Sequence, residues 1–248
     1  LLELPTDKLR PKELTYKGAT YNVSLSSDIK DQLNRFAQHH QASLFMTLLA
    51  VFQVLLYRYT GQQDIVVGSP IANRHYKEIE GLIGFFVNTL ALRTIFEGNE
   101  SFIDILNKVK ETTLQAYHHQ DVPFEQLVDH LNISRALNRN PVFQVMFNLQ
   151  NAAKEEPLGF NEIQVEPFYS SHSIAKFDLS LNIYESKEGL GVGIEYATDL
   201  FEAQTIERMG AHFKELIEGI LANPNQDVCT LPLLSKREKQ QLLIEWND

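Results

Sequence analysis

The sequence predicts a single α/β domain in which helices pack on a mixed β-sheet. Segments with the alternating apolar pattern of strands and segments with apolar residues at helical spacing follow one another along the chain. This interleaving is typical of layered α/β proteins. The length of 248 residues and the hydrophobic content of 44% are enough for a sizeable core. The sequence shows no internal repeat and no low-complexity tract, so one compact unit is the simplest interpretation.

The N-terminal part of the chain is predicted to hold one strand and two helices after an irregular start. Residues 1–19 are rich in Pro and Lys without periodicity, which indicates a lead-in segment on the surface. Apolar residues at every second position of 21–25 predict a strand. Ser27 is expected to cap the next helix, and Ser43 is expected to cap a buried helix that ends at Gly61.

Two strands joined by a loop are predicted next. The apolar run 64–68 predicts a short buried strand, 69–82 predicts a loop, and 83–93 predicts a second strand. The second strand is unusual because it carries Asn88 and Thr89 in its middle. A polar group buried without a partner costs about 1–3 kcal/mol, so these two side chains need partners or a function.

Two helices follow these strands. Ser101 and Asp104 have the spacing of a capping box, which predicts a helix from there to about Tyr117. Pro123 is expected in the first turn of a second, shorter helix, where its missing amide hydrogen is tolerated. The two adjacent histidines after Tyr117 then lie at a helix C-terminus, a place that favours a cation.

The second half of the chain is richer in predicted strands. Residues 142–149 predict one strand, and the alternation in 177–184 predicts another, with 190–196 as its hairpin partner. A long amphipathic helix is predicted over about 202–222, because apolar residues recur there at helical spacing. Ser235 has the sequence of a capping box for a last helix.

Composition and charge argue against several classes of protein. The net charge of −10 and the lack of a dense basic run argue against nucleic-acid binding. The most apolar run, Leu44 to Tyr59, is shorter than the ~20 residues of a membrane span and argues against a membrane protein. Cys229 is the single cysteine and no signal peptide is recognisable, so we expect no internal disulfide and a cytoplasmic location.

No metal site is expected from the sequence. It has no histidines at His-x-x-x-His spacing, no cysteine pair and no loop with the ligand spacing of a calcium site. Nucleotide-binding loops and the G-x-S-x-G motif of hydrolases do not occur either. The scattered histidines, His212 among them, are therefore expected at the surface.

Four segments carry polar residues that a plain strand or loop would not need. They are GSPIANR at 68–74, IGFFVNTLALR at 83–93, HQDVPFE at 119–125 and RNPVFQVMF at 139–147. In this order they resemble the G(T/S)PxAxR, IGxFVNTxxxR, HQDxPFE and (S/N)RNPLFQVMF motifs of nonribosomal peptide synthetase condensation domains. One such motif is a weak signal, whereas four in the family's order make the resemblance specific.

The resemblance implies a chloramphenicol-acetyltransferase-like fold, an α/β two-layer sandwich with helices packed on a mixed sheet. Members of that superfamily carry HHxxxDG, whose second histidine is catalytic. Neither pair of adjacent histidines fits, because the Asp and Gly positions hold Leu44 and Phe45 after one pair, and Pro123 and Phe124 after the other. The chain is therefore expected to be the C-terminal half of a condensation domain, without the catalytic half.

The resemblance also implies a division of the chain and a reaction. Residues 1–19 are the lead-in segment, 20–234 the C-terminal subdomain, and 235–248 the start of a linker towards an adenylation domain. The implied reaction joins a carrier-bound acyl or peptidyl thioester to a carrier-bound aminoacyl thioester by amide-bond formation. We expect no bound cofactor, since both substrates are carried on 4′-phosphopantetheine arms. The implied partners are the N-terminal half of the domain, peptidyl carrier proteins and the downstream adenylation domain.

Two alternatives stay open at this point. The chain is either part of the amide-forming enzyme or a non-catalytic module that docks carrier proteins as a scaffold. The same fold also supports epimerisation and heterocyclisation, although the Phe-Val-Asn-Thr segment at 86–89 favours amide formation. The isolated chain is expected to be inactive in each case.

No residue of this half is expected to be catalytic, and His119 is not expected to be the base. Asn88 is expected either to hydrogen-bond a thioester or pantetheine amide in a substrate tunnel or to satisfy a neighbouring backbone group. Arg139 is expected to form a structural ion pair, to meet an acidic side chain of the other half, or to bind a carrier-arm phosphate. Asp178 is expected to hold strands together. The tunnel or structural candidates are Asn88, Thr89, Arg93, Gln120, Asp121, Arg139, Asn140 and Asp178, and the loop candidates are Gly68, Ser69, Asn73 and Arg74.

Overall fold

A computed structural model describes residues 1–74, 76–133, 136–150 and 173–246. The strands are β1 (Lys17–Ser26), β2 (Asp64–Ile71), β3 (Asn88–Ile95), β4 (Val145–Gln150), β5 (Ser173–Ile174), β6 (Leu179–Glu185) and β7 (Gly189–Ala197). The helices are α1 (Ser27–His39), α2 (Leu44–Thr60), α3 (Lys77–Glu80), α4 (Phe102–His118), α5 (Phe124–His130), α6 (Ala203–Ala222) and α7 (Lys236–Gln240). A π-helical turn over Gln241–Glu245 follows α7.

The described strands form one sheet in the order β3-β2-β4-β6-β7-β1-β5. β4 runs parallel to both β2 and β6, and the remaining neighbours are antiparallel, so the sheet is mixed as predicted. The predicted hairpin is confirmed, since β6 and β7 pair from Leu179↔Tyr196 to Glu185↔Leu190. Because β2, β4 and β6 are parallel, their carboxyl ends lie at the same edge of the sheet.

Helices cover one face of the sheet, which gives the expected two-layer α/β fold. Phe147, Leu181 and Ile194 are cross-strand neighbours on β4, β6 and β7, and all three are buried in the core that the sheet shares with α1, α2, α4 and α6. Side chains alternate along a strand, so Asn148 and Asn182 point to the opposite face, where both are partly exposed. That second face is polar along its centre.

Side-chain caps fix most helix starts where the sequence predicts them. Ser43 accepts a hydrogen bond from the Met46 amide at 3.1 Å, and α2 ends at Gly61, whose φ of 66° suits glycine. The capping box of Ser101 and Asp104 is present at α4. The prediction for α1 is wrong by one residue, because Ser26 rather than its neighbour accepts from the third helical amide.

The lead-in segment is not confined to the surface, so that expectation is wrong. Leu2 and Leu4 are buried in the main core. The Asp7 carboxylate accepts hydrogen bonds from the Glu202 amide at 2.8 Å and the Thr205 hydroxyl at 2.9 Å, which caps the start of α6. β1 begins at residue 17, four residues before the predicted strand over 21–25.

The predicted strand over 83–93 is wrong in its first five residues. β3 begins at Asn88, and the preceding segment is irregular with Ile83 fully exposed and Phe85 93% exposed. The short helix α3 lies within the predicted loop. β4 also starts later than predicted, at Val145, because Val142 has a φ of 67° that no strand accommodates.

The C-terminal segment begins as predicted with a capping box of Ser235 and Glu238 at α7. The leucine and tryptophan side chains after it are exposed, as Leu243 and Trp246 show. Residues 247 and 248 of the predicted linker lie outside the described residues.

Candidate functional site

Asn88 joins the start of β3 to the turn that precedes α5. Its side-chain N–H groups donate to the carbonyls of Gln120 and Val122, both at 2.8 Å. Its side-chain oxygen accepts from the amides of Thr89 at 2.9 Å and Phe124 at 3.1 Å. These four bonds use both donors and the two acceptor positions of a side-chain amide. The contacts are those of the structural alternative, in which Asn88 satisfies neighbouring backbone groups.

The turn held by Asn88 lies beside a cavity of about 390 Å³. Thr89, Asp121 and Glu125 contribute polar groups to its wall, and Phe85 contributes an exposed ring. Gln120 takes part through its backbone carbonyl, which accepts from Asn88. His119, the residue before it, is exposed and forms the C-terminal cap of α4.

Arg74 organises the loop between β2 and β3. Its guanidinium donates to the carbonyls of Ile79 and Leu82, the latter at 2.8 Å, and its central carbon lies 4.2 Å from the centre of the Phe86 ring. An arginine over an aromatic face is attracted by the ring quadrupole. These contacts hold the irregular segment 82–87 in a defined shape while the side chains of Leu82, Ile83, Phe85 and Val87 remain exposed.

The three other loop candidates are constrained by close packing, burial or backbone conformation. A side chain at Gly68 would stand 2.2 Å from the Phe143 ring and 2.5 Å from the Met146 sulfur, so the neighbouring side chains require glycine there. Ser69 is 1% exposed, in line with its inward position on β2. Asn73 has a φ of 51°, a left-handed conformation that asparagine tolerates better than most residues.

Arg93 forms a bidentate ion pair on the surface with Asp64 on the neighbouring strand β2. Its Nε and Nη2 lie 2.8 Å and 2.9 Å from the two carboxylate oxygens. The hydrogen bond from Arg93 lowers the pKa of the Asp64 carboxyl. The side chains are 59% and 52% exposed, so water screens the pair.

Arg139 and Asn140 anchor the segment before β4 to the rest of the chain. Arg139 forms a bidentate ion pair with Glu3, in which Nη2 and Oε2 are 3.0 Å apart, and its hydrogen bond lowers the pKa of the Glu3 carboxyl. The Asn140 side chain donates to the Lys176 carbonyl at 2.8 Å. The acidic partner of Arg139 thus lies in the N-terminal segment of the same chain.

Asp178 joins the N-terminal segment to the sheet. Its carboxylate forms a bidentate ion pair with Arg10, with one bond of 2.8 Å between Nη1 and Oδ1. Its backbone N–H donates to the Gln144 carbonyl at 3.0 Å, and its carbonyl accepts from Ala197 at 3.1 Å. Most of the predicted candidates therefore fall into two groups, one around the end of β2 and the start of β3 and one that fastens the N-terminal segment, whereas Arg93 lies near the other end of the β2–β3 pair and Asn140 bonds to Lys176.

The structure also shows a chain of hydrogen-bonded polar side chains, centred on the buried His212, that the sequence does not reveal. The Nδ1 of His212 lies 2.7 Å from the Tyr59 hydroxyl, and its Nε2 lies 3.0 Å from Glu238. His212 is buried, so its expected surface position is wrong. Burial raises the pKa of the Tyr59 hydroxyl, which keeps it a donor. The signal for burial is the position of His212 on the apolar face of α6, three residues after Met209.

The described residues hold neither a cluster of metal ligands nor a single helix suited to span a membrane. No three His, Cys, Asp or Glu side chains in this part of the chain are grouped as metal ligands. No single described helix has both the length and the apolar composition needed to cross a membrane. The pair α1 and α2, bent by 102°, meets that requirement jointly, by length and composition alone.

Comparison with known proteins identifies the family. The family model of the condensation domain matches residues 1–243. A linear gramicidin synthase polypeptide from Brevibacillus parabrevis is 48% identical over 250 residues, and a plipastatin synthase polypeptide from Bacillus subtilis is 42% identical over 243 residues. These matches cover 100% and 98% of the chain but 3% and 7% of the two synthases. The chain thus spans a small part of these relatives.

Solved structures support the same fold. The X-domain in its complex with OxyB from teicoplanin biosynthesis superposes with a TM-score of 0.84 at 24% identity, over 95% of this chain and 52% of that one. A four-domain nonribosomal peptide synthetase bound to AMP and glycine gives 0.86 at 21% identity, over 96% and 19%. With the family model matched over nearly the whole chain, this protein belongs to the condensation domain family of nonribosomal peptide synthetases.

Proposed function

We propose that the chain is the C-terminal half of a condensation domain that forms an amide bond between two carrier-bound thioesters. The observation that carries the proposal is that the chain aligns with only about half of each related domain. The chain aligns over 91% of its length with 52% of the condensation domain of the Monacolin K polyketide synthase, at a TM-score of 0.80. The chain also aligns over 94% of its length with 53% of the X-domain from teicoplanin biosynthesis. This supports a chain that supplies one of two halves.

The proposed reaction is an acyl transfer. The amine of the acceptor aminoacyl thioester attacks the carbonyl carbon of the donor thioester, a C–N bond forms, and the C–S bond breaks. The donor acyl group thus passes to the acceptor nitrogen, and the sulfur of the donor's 4′-phosphopantetheine arm leaves as a thiolate. The proton that the amine loses converts this thiolate to the free thiol. Tethering both partners supplies much of the rate, because effective molarities of well-oriented groups reach ~10⁵–10⁸ M.

This half is proposed to supply a wall of the substrate tunnel and part of the docking surface for peptidyl carrier proteins. The sequence contains no HHxxxDG, so the histidine that acts as the base belongs to the N-terminal half. A downstream adenylation domain is the proposed neighbour beyond α7. The reaction needs no bound cofactor in this half, since each substrate brings its own pantetheine arm.

The exposed apolar loop over 82–87 is proposed to pack against the N-terminal half. Ile83 and Phe85 are almost completely exposed although Arg74 holds the loop in place. Contiguous exposed apolar side chains rimmed by polar ones are typical of interaction sites. The neighbouring Val122 is exposed as well, which enlarges the same patch.

The test is a reconstitution of condensation from separate halves. The isolated chain, mixed with a donor-loaded and an acceptor-loaded carrier protein, is expected to form no amide product. Addition of the upstream half of the same synthetase, fused or in trans, is expected to restore turnover measured by mass spectrometry of the carrier-bound product. Robust condensation by the chain alone contradicts the proposal, and so does a folded two-half complex that is inactive with every substrate pair.

A non-catalytic docking module is the second candidate. The observation in its favour is that the X-domain with the same fold occurs in a complex with OxyB, so that fold serves as a binding platform in that protein. The same reconstitution separates the candidates. Carrier binding by the complete domain without any amide product favours docking, and product analysis for an epimer or a heterocycle identifies the other chemistries of this fold.

A further inference from the structure

The pairing between the parallel strands β2 and β4 is very short. Within the described residues these parallel strands share one pair, Gly68↔Met146, whereas β4 and β6 share six consecutive pairs. Pro70 follows two positions after Gly68 and has no amide hydrogen to donate to a neighbouring strand. Beyond Gly68 and Met146 the two strands are no longer paired, which leaves a slit between the second and third strands from the β3 edge of the sheet.

Two cavities meet at this slit from opposite faces of the sheet. On the helix face, a cavity of about 210 Å³ lies between the strand ends and the residues Phe45 of α2 and Tyr117 of α4. On the open face, a cavity of about 270 Å³ lies over Asn182. Pro70 and Asn148, one from each side of the slit, line both cavities. The two cavities therefore lie on opposite sides of the same gap between β2 and β4.

The two cavities differ in the chemistry of their walls. Phe45, Ile71, Leu90 and Leu149 share the wall of the inner cavity with the polar residues Ser69, Tyr117 and Asn148, and no charged residue is among its described lining residues. The outer cavity has Lys176, Ser180, Asn182 and Glu195 in its wall. The inner space therefore suits an uncharged group, and the outer space, which has charged and amide side chains in its wall, can hydrogen-bond the amides of a tether. An apolar protein cavity of about 150 Å³ holds a benzene molecule, so the inner space is large enough for a leucine or phenylalanine side chain.

We propose that the slit between β2 and β4 is a specificity pocket that receives an uncharged side chain of a carrier-tethered substrate. The occupant's identity as a tethered aminoacyl or peptidyl group rests on the proposed function. Its amide-bearing tether lies along the polar open face, and its side chain passes Pro70 and Asn148 into the inner cavity. Leu149, from the wall of that cavity, is then a specificity-determining residue.

The first test measures side-chain selectivity in the complete condensation domain with both halves present. Carriers loaded with glycine, alanine, leucine or phenylalanine are compared as acceptors with one fixed donor, and then as donors with one fixed acceptor. Leu149→Phe fills the inner cavity and Leu149→Ala enlarges it. Leu9→Phe is the matched control, because Leu9 lies on the surface of the N-terminal segment.

Filling the cavity is expected to slow the bulky substrates at least about tenfold while glycine changes by less than about twofold, the range typical of apolar side-chain discrimination. Leu149→Ala is expected to shift the preference towards phenylalanine, and Leu9→Phe is expected to leave the profile unchanged. If only the series with varied acceptors responds to the substitution, the acceptor side chain occupies the pocket, and if only the series with varied donors responds, the donor side chain does. An active, folded Leu149→Phe domain with an unchanged profile in both series overturns the proposal.

A second measurement does not depend on condensation. Leucyl-pantetheine thioester and glycyl-pantetheine thioester are titrated into the chain, and the methyl NMR signals of Ile71 and Leu90 are followed. Shifts caused by the leucyl compound alone, and lost in Leu149→Phe, support the pocket even if the reconstituted domain proves inactive. No shift with either compound, together with a flat selectivity profile in an active domain, contradicts the pocket and leaves the proposed function standing.

Discussion

Arg10 in the N-terminal segment and Asp178 before β6 form a bidentate ion pair across 168 residues of sequence. The Asp178 side chain is 2% exposed and the Arg10 side chain 13%. A pair removed from water in this way is costly to break, because the charge that remains has lost both its partner and its hydration. The pair also connects β4 and β7 to the N-terminal segment, since the backbone of Asp178 bonds to Gln144 and Ala197.

Arg10→Met is expected to lower the free energy of unfolding by about 3–5 kcal/mol, measured by urea denaturation. The matched control is Arg93→Met, which removes the same bidentate geometry from the exposed pair with Asp64 and is expected to cost less than about 1 kcal/mol. Equal losses in both variants would show that burial does not decide the strength of the Arg10 pair.

Asn88→Ala is expected to lower the free energy of unfolding by about 2–3 kcal/mol, because it removes four hydrogen bonds and leaves backbone groups of the 120–124 turn without partners. Asn22→Ala on the exposed side of β1 is the control, with an expected change of less than about 0.5 kcal/mol. In the complete domain, activity should fall only with the folded fraction. A large loss of activity in a fully stable Asn88→Ala domain would instead place its amide on the substrate.

Local patterns in the sequence were enough for most of the fold. Ser43, Gly61 and Ser101 mark helix ends through contacts with residues three or four positions away, and such contacts can be read from spacing alone. The β6–β7 hairpin is predicted for the same reason, since its two alternating strands are adjacent in the chain.

The contacts that local sequence patterns do not predict join residues far apart in the chain. Asp7 caps the start of α6 across 195 residues of sequence, and His212 meets Tyr59 across 153 residues. The periodic spacing of apolar residues gives no information about contacts between such distant residues. The exposed segment 83–87 was predicted as strand because its apolar residues look like a core, and exposure on a loop held by Arg74 cannot be distinguished from burial by composition.

His119→Ala is expected to retain most condensation activity in the complete domain. His119 is exposed at the end of α4, and the positions after it hold Pro123 and Phe124 instead of the Asp and Gly of HHxxxDG. Single-turnover rates beside thermal melts provide the measurement. A loss of three or more orders of magnitude, with the fold intact, would mean that the catalytic base lies in this half; removal of one general base typically costs about 10²–10⁴ in rate.

Glu195→Gln is expected to stabilise the chain at about pH 7 and to have no effect at about pH 3. Burial raises the pKa of the Glu195 carboxyl, against opposing contributions from Lys176 and Ser180. The unfolded chain therefore ionises this group first, at its ordinary pKa of about 4.3, and the folded state loses stability as the pH rises from there through the raised pKa. Thermal melts across this range measure the effect.

The control for this pH dependence is Glu188→Gln, which removes the same charge from an exposed turn. It reports the general benefit of reducing the net charge of −10. A Glu195→Gln variant that follows Glu188→Gln at every pH would show that the burial of Glu195 has no energetic effect.

The isolated chain is expected to bind a hydrophobic dye or to self-associate through the loop over 82–87. Phe85→Ser with Ile83→Ser should reduce dye fluorescence and shift sedimentation towards the monomer, because these two side chains supply most of the exposed apolar surface of that loop. Leu9→Ser, at another exposed leucine, should leave both signals unchanged. A dye-silent monomer at high concentration would count against the proposed partner half.

The contacts that hold the N-terminal segment against the rest of the chain affect where two synthetases can be joined to make a chimera. Glu3 is bound to Arg139, Asp7 to the start of α6, and Arg10 to Asp178. In a chimera joined between residue 10 and β1, these three residues would come from one synthetase and their partners from another. Junctions upstream of Leu2 keep the set together, so chimeras cut there should be recovered in soluble form more often than those cut at residues 11–16.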